Sequence, residues 1–262
     1  MKKYAAIALA ALLLCTLTAM ACAEGTFRVG VKQDVYGFGY LDEPTGVYEG
    51  MEIDLGAMIA EALGYDDVEY TTVTAATRGQ MLDNDELDCV IATFTIKPER
   101  KESWDFSTPY YTDAVTVLVE NASGIADLAG LVGKTVGVST GSTSAKALAT
   151  AMADAGVIAA FDADKFEIAT FDGGVKFKEF DDYPAISLAL DAGDVDAFCV
   201  DKSILANYKT DDRSFIADSF APQDYGVATK KGSELSAKVE ELITGWLADG
   251  TIAELVTKWG LD

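Results

Sequence analysis

The sequence contains no histidine at all. That excludes Ser-His-Asp and Cys-His nucleophilic catalysis, which depend on an imidazole base, together with most zinc sites. Cationic side chains are also scarce. Against 20 lysines and arginines stand 43 aspartates and glutamates, giving a formal charge of -23. Such a chain repels a phosphate backbone, so no nucleic-acid partner is expected. Cysteine is rare too, with 4 in 262 residues. Cys15 and Cys22 fall in the N-terminal segment, whereas Cys89 and Cys199 sit inside apolar strand-like runs, where a thiol behaves as a small buried hydrophobe. No disulfide is expected, and no metal or other cofactor is required.

The missing histidine also disarms a motif. Gly137-Val138-Ser139-Thr140-Gly141 fits the Gly-x-Ser-x-Gly pattern of a nucleophile elbow between a strand and a helix. With no base to activate the serine, it reads as a turn that exposes backbone N–H groups.

What is present begins with an address. Met1-Lys2-Lys3, an apolar run from Tyr4 to Met20 and the small residues Ala19, Ala21 and Ala23 form a secretory signal over residues 1–23. The mature chain is expected outside the cytoplasm. Ala21-Cys22-Ala23 fits ordinary cleavage after Ala23, while Ala19-Met20-Ala21-Cys22 is a poor version of the box that places a lipid on Cys22; both remain open.

Beyond it, strand-like runs (Phe27 to Val31, Val68 to Val73, Cys89 to Thr93) alternate with helical patterns such as Leu55, Met58, Ile59, Ala62 and Leu63, for which Asp54 is the candidate N-cap. A second series repeats this: Thr135 to Val138, a helix opening at Ser142, a strand over Phe166 to Thr170, a helix from Tyr183, and a strand over Ala197 to Val200. The pattern predicts an α/β fold of two lobes. The segment Leu82 to Ile91 aligns without gaps on Leu190 to Cys199, which puts Thr93 and Asp201 at equivalent strand exits. Open α/β sheets bind ligands at such carboxyl ends, so the two residues are expected across one cleft. Crossings near 110–112 and 223–226 divide the chain into lobe 1, residues 24–111 plus 226–262, and lobe 2, residues 112–225. Ser233 to Leu247 and Ile252 to Trp259 read as closing amphipathic helices.

Three segments carry a family resemblance: Gly50-Met51-Glu52-Ile53-Asp54-Leu55 and its helix, Ala92-Thr93-Phe94-Thr95-Ile96-Lys97-Pro98-Glu99-Arg100-Lys101, and Asp105-Phe106-Ser107-Thr108-Pro109-Tyr110-Tyr111. In them the chain resembles the bacterial extracellular solute-binding proteins of amino-acid ABC importers (family 3), over essentially all of the mature sequence. It is most similar to the glutamate- and aspartate-binding members, because Lys32 and Arg78 fall where those proteins carry basic residues; Ala76 stands where a lysine is commoner. The resemblance implies a two-lobed periplasmic-binding-protein fold of type II, an exported monomer in the periplasm or on the outer face of the membrane, and an ABC permease as partner.

The chemistry of an α-amino acid suggests roles for particular residues. Its carboxylate suits the planar fork of Arg100, with Thr95 and the turn after Thr93 adding donors. Its ammonium suits Asp201, helped by the Thr93 carbonyl. Ser139, Thr140 and Thr143, with Ser142 and Ser144, surround Gly141 at a helix start that favours an anion. Phe38 is expected to wall the pocket. Lys32 and Arg78 supply positive charge beyond that needed by the α-carboxylate, which points to glutamate or aspartate. The alternatives are a polar neutral amino acid such as glutamine, or a related periplasmic lyase or dehydratase.

Overall fold

The computed structural model describes residues 25–262. The expected signal, with Cys15 and the candidate lipid anchor Cys22, lies outside the described residues. The chain runs β1 (Thr26–Val31), β2 (Asp34–Val35), β3 (Gly39–Asp42), β4 (Val47–Glu49), α1 (Met51–Leu63), β5 (Asp67–Thr72), α2 (Arg78–Asp83), β6 (Cys89–Ile91), α3 (Pro98–Ser103) and β7 (Trp104–Phe106). It continues through β8 (Tyr111–Glu120), β9 (Thr135–Ser139), α4 (Ser144–Asp154), β10 (Lys176–Phe180), α5 (Tyr183–Asp191), β11 (Ala197–Asp201), α6 (Lys202–Ala206), β12 (Arg213–Phe215) and β13 (Phe220–Tyr225). β14 (Ala228–Lys230), α7 (Glu234–Asp249) and α8 (Thr251–Lys258) end it.

These elements build two α/β lobes around sheets of one design. The first has strand order β5-β1-β6-β14-β7, with β1 parallel to β5 and β6 and with β14 antiparallel to its neighbours. The second has order β10-β9-β11-β8-β12, with β9 parallel to β10 and β11 and with β8 antiparallel to β11 and β12. Each places a strand next to a crossing as its antiparallel fourth member. β13 returns along β8, pairing Tyr225 with Tyr111.

The internal echo is physical. Asp88 and Asp196 do the same work one residue before β6 and β11. The Asp88 carboxylate accepts the backbone N–H of Arg28 at 2.8 Å and its own N–H returns to the Arg28 carbonyl at 2.8 Å. Asp196 repeats both bonds with Thr135, each at 2.8 Å. Asp85 and Gly193, also equivalent, both turn the chain with positive φ, 60° and 74°. β6 is thus clamped to β1, and β11 to β9, in one register.

Two expectations are corrected. The strand expected over Phe166 to Thr170 is a pair of 3-10 turns, Ala163–Lys165 and Ile168–Thr170, and β10 takes its place. Phe166 packs with Phe161, Phe171 and Phe177 in an aromatic cluster, so its apolar side belongs to a local patch and not to a ladder. Asp54 is not the N-cap of α1. The helix starts after Gly50, whose φ of 135° and close approach to the Phe38 carbonyl leave no room for a Cβ. Asp54 instead accepts from Lys258 and Trp259, at 2.7 Å each, and ties α8 to α1. Met51, Leu55 and Ile59 form the buried stripe of α1, and Gly64 closes it in the left-handed region. Cys89 and Cys199 are free and buried.

Candidate ligand-binding site

The tips of β6 and β11 meet where the lobes face one another. Thr93, just beyond β6, has φ of 45°, a strained value for a β-branched residue. Its N–H turns inward onto Glu52 Oε1 at 2.6 Å. Asp201 ends β11, and its carboxylate accepts the Tyr225 hydroxyl at 2.5 Å. Between them lies a narrow cavity of about 10 Å³, room for about one water molecule. Ala75, Arg78, Thr93 and Thr95 line it on one side; Ser142, Thr143, Ser144, Tyr183, Val200 and Asp201 line it on the other.

Arg78 is the cation that enters this space. It opens α2, is buried, and donates through Nη1 to the carbonyls of Ala92 (2.6 Å) and Thr93 (3.2 Å). Its guanidinium lies 3.9 Å from the centre of the Phe94 ring, a favourable cation–π arrangement. Burial lowers its pKa. Arg100 stands at the lip, bonded to the Thr95 carbonyl at 2.9 Å and, across the cleft, to the Gly141 carbonyl at 3.1 Å. Burial first, and then the like charge of Arg78, bring its pKa down to about 9. Asp201 is pushed up to about 7, mainly by burial, with Tyr225 opposing and Asp113 reinforcing the rise.

Lys32 is placed differently from the expectation. Its Nζ is 3.4 Å from Asp34 Oδ1 and 4.5 Å from the centre of the Tyr183 ring, behind the cavity wall. Its charge is already answered. Phe38 is corrected too: it is fully buried in the core, edge-on to Tyr111 and Tyr225 at 5.0 and 5.8 Å. Gly37, with φ of 88°, turns the chain so that this ring points inward. Ser139 and Thr140 do not line the cavity either, because they are still tied to β10, where Ser139 pairs with Phe180 and the Thr140 N–H bonds its carbonyl at 2.9 Å. Only after the turn at Gly141 does the chain present Ser142, Thr143 and Ser144. The structure therefore brings together Arg78, Thr93, Thr95, Thr143 and Asp201 around one space, with Arg100 at its edge.

Tyr183 was not anticipated. It is the first residue of α5, capped by Asp182 and followed by Pro184, a helix-start signature readable in sequence. An aromatic at that position, facing a strand exit, is the signal that was available.

Side-chain polar atoms that are buried without a partner gather here. Among the described residues those without a hydrogen bond are Arg78 Nε, Thr93 Oγ1 and Ser144 Oγ on the cavity wall, with Glu52 Oε2 and Asp34 Oδ1, the latter facing Lys32 as an ion pair, close behind. Buried polar atoms are nearly always satisfied, so such a concentration marks a place built for a polar ligand. No group of three or more metal-binding side chains occurs among the described residues.

Comparison with known proteins agrees with this geometry. The chain is 30% identical to the ABC transporter glutamine-binding protein GlnH of Bacillus subtilis strain 168, over 88% of this chain and 79% of that protein. It is also 30% identical to the L-cystine-binding protein TcyJ of Escherichia coli K12, over 90% of this chain and 83% of that protein. An ancestral arginine-binding protein bound to glutamine superposes with a TM-score of 0.74 and 31% identity, covering 90% of this chain and 97% of that one. The fold is accordingly the two-lobed type II architecture. The model of the bacterial extracellular solute-binding proteins, family 3, matches residues 27–262, and the chain belongs to that family.

Proposed function

We propose that this protein is the exported receptor of an amino-acid ABC importer and that its ligand belongs to the glutamine and glutamate class. The observation that carries this reading is the facing pair Arg78 and Asp201, buried across one small cavity with unpartnered hydroxyls between them. A zwitterion needs a cation and an anion a few ångströms apart. Asp201 takes the ammonium, Arg100 and the start of α4 take the α-carboxylate, and Arg78 meets the side chain, aligned by Thr93, Thr95 and Thr143.

Charge balance narrows the side chain. With Lys32 paired to Asp34, the surplus cation that would favour an acidic ligand is reduced. Lys32, Arg78 and Arg100 are matched by Asp34, Glu52 and Asp201, which suits an uncharged amide such as glutamine. The acidic reading is favoured by a different observation: burial pushes Glu52 up to about 7, so that its negative charge is partly withdrawn. In this reading the buried ionic groups hold the amino acid, which leaves none assigned as the acid or base that a lyase or dehydratase needs.

In this reading lobe 1 comprises residues 24–111 and 226–262 and lobe 2 residues 112–225. They pivot where the Tyr110 N–H bonds the Tyr225 carbonyl at 2.9 Å. The loaded monomer delivers its ligand to a membrane permease. A thermal-shift panel of amino acids on ligand-stripped protein tests the assignment, since a ligand that binds only the folded state raises the melting temperature. Glutamine or glutamate must give the largest shift. Chemical turnover of the stabilising compound would return the protein to the enzymes.

A further inference from the structure

Glu52 lies in the first turn of α1, fully buried beneath Thr93. Its Oε1 accepts the Thr93 N–H at 2.6 Å and the Tyr110 hydroxyl at 2.5 Å, while Oε2 has no partner. Thr93 is itself a wall of the cavity, so one residue separates this carboxylate from the ligand space. The charged and titratable groups that face it are Lys32 at the end of β1, Arg78 opening α2, and Tyr110 at the outgoing crossing. Of the two cations, Lys32 is paired with Asp34, whereas Arg78 is held only by carbonyls and the Phe94 ring.

We propose that Glu52 is the specificity-determining residue of the cleft, its proton deciding whether Arg78 receives an uncharged amide or a carboxylate. The proposal rests on the amino-acid reading above. When Glu52 is ionised, the buried cations are matched, and a second ligand carboxylate enters as an unmatched charge in a desolvated space. When Glu52 is protonated, one positive charge is left over, and a side-chain carboxylate matches it. Burial is the largest influence on Glu52, opposed by Tyr110, the Thr93 N–H, Lys32 and Arg78, and the balance near 7 keeps both forms accessible. A carboxylate bound nearby raises Glu52 further, so binding of the acid takes up as much as one proton from solvent, the fraction set by how far Glu52 is ionised at that pH, and binding of the amide takes up none.

Calorimetric titration of glutamate and glutamine into ligand-free protein from about pH 6 to about pH 8.5 tests this, well above the ligand side chain's own pKa of about 4.3. Both ligands carry the same α-groups, so titration of Asp201 cancels in their ratio. The glutamate-to-glutamine affinity ratio should fall by about tenfold or more across that range. Heats measured in buffers of different ionisation enthalpy should show proton uptake with glutamate alone. Glu52→Gln should hold the ratio constant on the glutamate side, with no uptake. A constant ratio in wild type overturns the proposal even though both ligands bind. So does a pH-dependent ratio that persists in folded Glu52→Gln, which would assign the titration to Lys32. If Glu52→Gln fails to fold, Tyr110→Phe serves: removing a donor to the ionised form must move the midpoint to higher pH, and an unmoved midpoint overturns the proposal. Binding of neither ligand at any pH overturns the amino-acid reading and this proposal with it.

Discussion

Tyr225 donates its hydroxyl to Asp201 Oδ2 at 2.5 Å, joining the return crossing to the floor of the cleft. The same hydroxyl lies 3.4 Å from Asp113, which accepts the Ser203 N–H at 3.0 Å near the start of α6. The other crossing repeats the arrangement in Tyr110 and Glu52. Each crossing thus supplies a tyrosine that donates to a buried carboxylate at or just behind the cleft.

Tyr225→Phe should therefore weaken every amino acid ligand by about tenfold, the worth of a hydrogen bond to a charged group. The ring's stacking on Tyr111, at 5.9 Å, is kept, so the fold should persist. Calorimetry decides it, and unchanged affinity would mean that Asp201 needs no such support.

Arg100→Ala should abolish binding of all amino acids, and Asp201→Ala should weaken them all by about a hundredfold, because each leaves an opposite ligand charge unpaired in a buried site. Near-normal affinity in folded Arg100→Ala protein would sink the assignment of the α-carboxylate.

Asp201 also predicts a pH effect on the unliganded protein. Its folded pKa, about 7, lies above its ordinary value of 3.8. The folded state therefore holds a proton that the unfolded state has released, and stability from this group falls as pH rises through that interval. Asp201→Asn escapes the loss. Its melting temperature relative to wild type should climb between about pH 4 and about pH 8, by the equivalent of more than about 1 kcal/mol. A difference independent of pH would show that Asp201 is ionised throughout.

Gly141 touches the other lobe. A Cβ there would lie 2.9 Å from the Ala75 carbonyl and the Ala76 Cα, on a residue with φ of 76°. Gly141→Ala should lower affinity by about tenfold, combining backbone strain with incomplete closure. Small-angle scattering should show wild type contracting with ligand and the variant remaining wider. Equal radii for the two liganded proteins would remove Gly141 from the closure contact.

Arg78→Met keeps bulk and removes charge, so affinity for glutamate and aspartate should fall by at least about tenfold more than affinity for glutamine and asparagine. Equal losses would mean that Arg78 does not read the side chain.

Much of this was legible in the sequence, and the reasons for the rest are local. The β6 and β11 echo was readable because both copies share an acidic residue ahead of a short buried strand, a pattern that local composition preserves. β10 was not, since Lys176-Phe177-Lys178-Glu179-Phe180 carries its charges on an exposed sheet edge and so lacks an apolar face. Arg78, Thr93, Thr95, Thr143 and Asp201 come together around one cavity because strand exits and turns fix where they stand. Lys32 and Phe38 were misplaced because direction depends on partners distant in sequence: Tyr183 lies behind the lysine, and Tyr111 and Tyr225 lie beside the phenylalanine. Glu52 was visible in a motif, but a buried carboxylate under Thr93 is a tertiary fact.

The twin clamps of Asp88 on Arg28 and Asp196 on Thr135 separate support from chemistry. Both hold the roots of their strands, while Thr93 and Asp201 differ freely at the opposite ends, one an alcohol and one an acid. The two tips face the cavity, whereas the two clamps lie at the far ends of the same strands. The division puts the anchoring bonds of the frame at the strand roots and the residues that differ in chemistry at the strand ends.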